Sequence, residues 1–237
     1  MGKSLDFGAK RFFMFDMDGT LADSMWLWED FLEIFLESYQ KKIDMEARRK
    51  FDGLPLRESA EYVAKRYGLP LSGEEIFREW TTEIQYKYWK ELCLKQGAGQ
   101  YLHYLKENGK KIALVTANHR ELAEGFLDHH DVLRLFDVLV CSDQMEIDKS
   151  DPEYYRYALR CMGGAAEDAV LFEDTYAALR TAKKIPVDTV IVEDFSARQD
   201  RDALMEKADL YIRHFEDKSL YSYTREPNDL PIDYRYF

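Results

Sequence analysis

The spacing of apolar and polar positions changes several times along the chain, and each change marks an element. Phe12-Phe13-Met14-Phe15 is an unbroken apolar run of the kind a strand buried on both faces shows. Over residues 24–39 the spacing becomes helical, with Leu27, Phe31, Ile34 and Phe35 in register and Asp23 or Ser24 available as the N-cap. Helical spacing returns over 56–67 and 74–92, interrupted by Gly68-Leu69-Pro70 and Ser72-Gly73. No strand pattern breaks residues 22–94, so this block reads as an all-helical domain inserted into something else.

From Gly97 onward strands and helices alternate. A helix over 100–108 stops at Gly109, and apolar runs at 111–115, 138–141, 169–172 and 189–192 read as buried strands. Helical segments at 120–129, 152–162 and 175–184 separate them, and Leu210-Tyr211-Ile212 is a short edge strand. Such alternation predicts right-handed crossovers and a parallel sheet with helices on both faces. The fold class is therefore α/β. A discontinuous Rossmann-like core is formed by residues 1–21 and 95–217, with the helical domain at 22–94 inserted and an irregular, tyrosine-rich tail at 218–237.

Composition narrows the function classes. A 237-residue chain with 46% hydrophobic and 33% charged residues can bury a sizeable core. A formal net charge of −12 argues against nucleic acid or an anionic membrane as partner. It leaves room for an anionic substrate, since a bound cation reverses the field of a pocket. Cys93, Cys141 and Cys161 lack metal or disulfide spacing and read as core residues of a reducing compartment. No apolar run reaches membrane-spanning length and MGKSLDFGAK has no signal-peptide core, which predicts a cytoplasmic location. Oligomeric state, monomer or homodimer, is left open.

The candidate chemistry starts where the first apolar run ends. Asp16 and Asp18 leave a strand on one face, and Gly19 permits a sharp turn. Two such charges repel by roughly 4 kcal/mol at an effective dielectric near 20, which a chain tolerates where a cation or a reaction requires it. Polar residues recur at other strand ends: Thr116, Glu173-Asp174, and Lys149 in a loop. In open α/β sheets those ends gather at one crevice. There Asp16 would attack phosphorus to form an aspartyl-phosphate, and Asp18 would protonate the leaving oxygen and later deprotonate water. Asp174 would join Asp16 around a divalent ion, with Glu173 and Thr20 as support. A set of hard oxygen ligands suits Mg²⁺. Lys149 would supply the counter-charge, and Thr116, the amide of Ala117 at a helix start, and Asn118 would bind phosphoryl oxygens. Thr116 or Asn118 would equally serve as helix caps, and Glu173-Asp174 would cap the helix after it.

Together these residues resemble the haloacid dehalogenase superfamily, in particular the subgroup with a helical cap inserted after its first motif. The resemblance spans about residues 11–212. Asp16-Met17-Asp18-Gly19-Thr20-Leu21-Ala22-Asp23-Ser24 is similar to the first motif, and Leu114-Val115-Thr116-Ala117-Asn118 to the second. Lys149 takes the third position, and Phe172-Glu173-Asp174-Thr175 resembles the fourth motif. The resemblance implies Mg²⁺ dependence, an aspartyl-phosphate, a mobile cap, and a metal contact from the backbone carbonyl of Asp18. Three departures stand out: Lys149-Ser150-Asp151-Pro152 delays a proline and adds an acid beside the lysine, Ala177-Ala178-Leu179 replaces a glycine approach, and Gln96 stands where proline is common.

In this subgroup cap residues select the substrate, which points to 53–59, with Arg57 as a candidate anion contact and Trp26 and Trp28 as candidate lining. The expected activity is a phosphatase acting on a small phosphorylated metabolite, with a sugar phosphomutase of the β-phosphoglucomutase type as the alternative. The basic residue such mutases carry would align with Leu56, one place from Arg57, which favours the phosphatase. A dehalogenase is disfavoured because it has no use for the acid/base Asp18. A non-catalytic phosphate-binding or scaffold protein would not need a nucleophile with a paired acid.

Overall fold

The computed structural model describes residues 5–221, so the end of the expected tail lies outside the described residues. The chain divides into two compact units, one from the residues up to Asp23 and from Cys93 onward, the other Ser24–Leu92.

The first unit is built on six parallel strands: β1 (Phe12–Phe15), β2 (Lys111–Thr116), β3 (Val138–Cys141), β4 (Ala169–Glu173), β5 (Asp188–Val192) and β6 (Leu210–Ile212). Their spatial order is β3-β2-β1-β4-β5-β6, with Phe12 in register with Lys111 on one side and Ala169 on the other. All four residues of β1 are buried, as expected of a central strand covered on both faces. Alternation divides its side chains. Phe12 and Met14 join Tyr154, Tyr155, Ala158, Leu159 and Met162 of the helix at Glu153–Met162. Phe15 stacks on Phe172 at 4.5 Å between centroids and meets the edge of Tyr101, from the helix at Ala98–Glu107, at 6.3 Å. The chain reverses its direction of travel across the sheet between β1 and β4, which sets a crevice at their carboxyl ends.

The segments entering and leaving the second unit are laced together. Ala22 bridges Leu94 in antiparallel sense, Asp23 N donates to Cys93 O at 2.9 Å, and Lys95 N donates to Leu21 O at 2.8 Å. This short ribbon moves the boundary of the core unit two residues outward on each side from the expected 21 and 95. The cysteines correct an expectation: only Cys141 is buried. Cys93 lies in the ribbon, and Cys161 falls outside the apolar stripe of its helix, so both are exposed.

The second unit holds four helices, numbered here in chain order: α1 (Met25–Ser38), α2 (Met45–Gly53), α3 (Leu56–Tyr67) and α4 (Gly73–Lys90). Phe31, Phe35 and Phe51 meet the edges of Trp80 at 5.7, 5.2 and 5.6 Å and form the centre of the unit. Ser72 and Glu75 make a reciprocal capping box at the start of α4, and Gly68, at φ 57°, closes α3 in a left-handed turn. Ser24 is the N-cap residue of α1, though its side chain makes no capping bond. The sequence pattern does not predict α2. It is strongly polar, buries Ala47 and Phe51, and is held at its start by Asp44, which accepts from the amides of Glu46 and Ala47. None of the helices among the described residues is long and apolar enough to cross a membrane.

Candidate active site

Beyond β1 the backbone stays in line with β4, because Asp16 N donates to Phe172 O at 3.0 Å. A tight turn follows. The carbonyl of Met17 accepts from Leu21 N at 2.9 Å and Ala22 N at 2.8 Å, and Gly19 sits at φ 78°, a conformation costly for any residue with a Cβ. The turn folds Thr20 fully inside, where its hydroxyl lies 3.4 Å from both Asp16 Oδ2 and Asp174 Oδ1. Asp16 and Asp18 have different partners. Asp16 is buried and bonded to Lys149, whereas half-buried Asp18 accepts from Asn118 Nδ2 at 3.1 Å.

The crowded carboxylates are Asp16, Glu173 and Asp174, whose oxygens lie within 4.8 Å of one another. Asp16 is 7% exposed, and Glu173 and Asp174 are each 2% exposed. Lys149 Nζ bridges Asp16 Oδ1 and Glu173 Oε1, the latter at 2.6 Å. Tyr155 OH adds a longer bond to Glu173 at 3.4 Å. Asp174 Oδ2 is buried without a hydrogen-bond partner among the described residues. An orphaned carboxylate oxygen inside an acidic cluster fits a hard divalent cation, which would stabilise a charge the protein alone leaves uncompensated.

The electrostatics agree with that reading. Burial raises Glu173 to about 7, with Asp16 adding to the effect and Lys149 opposing it. Burial, then the charges of Asp16 and Glu173, push Asp174 well above the ordinary carboxylate range. For Lys149 burial works against the charged form, but Asp16 and Glu173 outweigh it and hold the ammonium firmly protonated.

The remaining residues of interest fall into place around this cluster. Thr116 ends β2 almost fully buried; its Oγ1 accepts from Asn118 N at 3.0 Å and its carbonyl from Tyr154 OH at 2.6 Å. Two expectations need correction here. The next helix begins only at Arg120, so the Ala117 amide is not at a helix start and neither Thr116 nor Asn118 is the cap. His119 takes that position, and the first helical amide, Arg120 N, is satisfied by Asp143 Oδ1 at 2.9 Å. Nor do Glu173 and Asp174 cap the helix that follows; Thr175 does, accepting from Ala178 N at 3.3 Å. Asp151, two residues after Lys149, accepts from Glu153 N at 2.8 Å at the start of the next helix.

Arg57 lies in α3, ion-paired to Glu74 and stacked 4.0 Å above the Phe77 ring. In the same unit Trp26 is exposed, while Trp28 donates to Tyr88 OH at 3.2 Å. Sequence reasoning does not find Tyr155. Its position on the apolar stripe of a helix reads as core, and only the hydroxyl distinguishes it from Phe.

The haloacid dehalogenase-like hydrolase family matches residues 13–192. The chain is 30% identical over 179 residues to a phosphorylated carbohydrates phosphatase of Thermotoga maritima, covering 75% of this chain and 82% of that protein. It is 28% identical over 201 residues to the validoxylamine A 7'-phosphate phosphatase of Streptomyces hygroscopicus subsp. limoneus, covering 84% and 92% of the two. Among solved structures, a β-phosphoglucomutase-like protein from Thermotoga maritima superimposes with a TM-score of 0.72 at 26% identity, over 89% of this chain and 96% of that one. The structure of CbbY from Rhodobacter sphaeroides with phosphate gives a TM-score of 0.69 over 88% and 96%; at 24% identity that likeness concerns the fold.

Proposed function

The chain belongs to the haloacid dehalogenase-like hydrolases, and from that premise we propose that it is a Mg²⁺-dependent phosphatase of small phosphorylated metabolites, working through a phosphoryl group carried on Asp16. The observation that carries the proposal is the meeting of Asp16, Glu173 and Asp174 with Lys149 at the crevice between β1 and β4, where one buried acid oxygen lacks a partner among the described residues. The names of the matched relatives support a phosphate ester as substrate.

In this reading an oxygen of Asp16 attacks phosphorus and the bond to the ester oxygen breaks. Asp18, oriented by Asn118, gives its proton to that leaving oxygen. Asp18 then takes a proton from water as the water attacks phosphorus, the bond to Asp16 breaks, and inorganic phosphate leaves with both side chains restored. Lys149 is ion-paired to Asp16 and offsets part of the charge that a phosphate dianion brings. The Thr116 oxygen already accepts from Asn118 N, so its own proton remains to be donated to a phosphoryl oxygen. Asp16, Asp174 and the backbone carbonyl of Asp18 would hold Mg²⁺, which when bound supplies positive charge to the phosphoryl oxygens.

The phosphomutase alternative draws on the likeness to the β-phosphoglucomutase-like structure. Against it, Arg57 is engaged by Glu74 and Phe77 within its own unit. Turnover of p-nitrophenyl phosphate and a panel of sugar phosphates separates the readings. The phosphatase releases inorganic phosphate with Mg²⁺ and stops with a chelator. A mutase instead converts one sugar phosphate into its isomer without net phosphate release, and a scaffold does neither.

A further inference from the structure

A second buried lysine–acid pair lies at the carboxyl end of the neighbouring strand, outside the motif residues. Lys95 Nζ donates to Asp194 Oδ2 at 2.7 Å and to the carbonyl of Glu193 at 2.7 Å, and the two side chains are only 10% and 6% exposed. The other carboxylate oxygen of Asp194 accepts from Ser196 N at 2.9 Å and Ser196 Oγ at 2.6 Å, so this acid is fully satisfied. The backbone of Lys95 belongs to the ribbon, donating to Leu21 O just beyond the Asp16–Thr20 turn. One lysine thus ties the turn carrying the nucleophile candidate to the end of β5.

That end lies beside the acid cluster. Glu173 is in register with Ile191, so Asp174 and Asp194 emerge from the carboxyl ends of adjacent strands. Four acids therefore surround this corner of the sheet. Lys149 offsets Asp16 and Glu173, and Lys95 offsets Asp194. Asp174 is the acid left with an oxygen unmatched among the described residues.

We propose that the buried Lys95–Asp194 pair is a positioning element for the cation site: it fixes the turn after β1 against β5 and keeps the local charge such that Asp174 takes one divalent cation. The inference rests on the cation site proposed above. Deleting either half of an ion pair removed from solvent leaves the survivor buried with its full charge, so the two deletions shift the local potential in opposite senses.

The test is Mg²⁺ affinity by isothermal titration calorimetry on the metal-free protein, with thermal unfolding alongside. Lys95→Met leaves a bare carboxylate near the site and is expected to tighten Mg²⁺ binding about tenfold; Asp194→Asn leaves a bare ammonium and is expected to weaken it about tenfold. The double variant Lys95→Met/Asp194→Asn is expected to return to within about twofold of wild type, since the two changes are coupled. A brace with no electrostatic role would shift both single variants in the same direction, and that result overturns the proposal. Should Lys95→Met fail to fold, Asp194→Asn against the double variant still reads the sign. Asp174→Asn separates the two levels. Wild-type binding that survives Asp174→Asn, or no binding by wild type, contradicts the cation site itself, whereas binding lost in Asp174→Asn with no opposite response at Lys95 and Asp194 contradicts only this pair.

Discussion

The two ends of one sheet treat their acids in opposite ways. At the amino end Asp209 accepts from Thr189 N and Thr189 Oγ1, both at 2.8 Å, and from Lys183. Asp137 accepts from Ile112 N and Lys106, each at 2.8 Å. Burial alone would raise both carboxyls, but these bonds outweigh it and hold them below the usual range. At the carboxyl end Glu173 and Asp174 are raised and Asp174 keeps an oxygen with no partner among the described residues. The amino end commits its polar groups to stability. The carboxyl end keeps acids whose charged forms the protein leaves uncompensated, which a cation or a reaction can use.

The contrast breaks most visibly at Asp174. Asp174→Asn replaces the orphaned oxygen with an amide donor facing Asp16 and Glu173. The Mg²⁺-induced rise in melting temperature should vanish and turnover fall by at least about a hundredfold, while the metal-free protein gains about 1–3 kcal/mol. A metal-free Asp174→Asn protein less stable than wild type would show that the acid is structural. Asp209→Ala should do the reverse: about 2 kcal/mol lost in denaturant unfolding, from three broken bonds, with kcat/KM within about twofold of wild type.

A third contrast is in pH dependence, where the two ends differ in sign. For Asp137 and Asp209 the folded-state pKa is lowered, so their stabilisation is present above the unfolded carboxyl value and is lost as pH falls through the folded one. For Glu173, raised to about 7, stability is fully present below the unfolded value and is lost as pH rises through about 7. Metal-free protein should therefore be more stable near pH 5 than near pH 8 in urea unfolding, and Glu173→Gln should flatten that difference. An unchanged slope in Glu173→Gln would remove Glu173 as its source.

Much of the fold was legible because its strands are unbroken apolar runs: the ranges at 138–141 and 210–212 agree with β3 and β6 residue for residue. The α2 helix was not, since a nine-residue helix with two buried apolar positions leaves little periodicity to read. The helix at Arg201–Lys207, which buries only Leu204, escaped for the same reason. In the site, Asp16, Lys149 and Asp174 could be placed together because strand ends in a parallel sheet share an edge. The helix after β2 was placed at its observed bounds, 120–129, but its cap was not, because Asp143, from beyond β3, supplies the bond to its first amide. Lys95 and Asp194 are 99 residues apart and carry no local signature of their pairing.

The most direct test of the account is acid-quenched single turnover of a phosphate ester with Mg²⁺, followed by peptide mass spectrometry. The account predicts a transient phosphoryl group on Asp16 that is absent from Asp16→Asn, whose turnover falls by at least about a thousandfold. Phosphate release at the full rate with no phosphoryl-enzyme, and with Asp16→Asn still active, would contradict it.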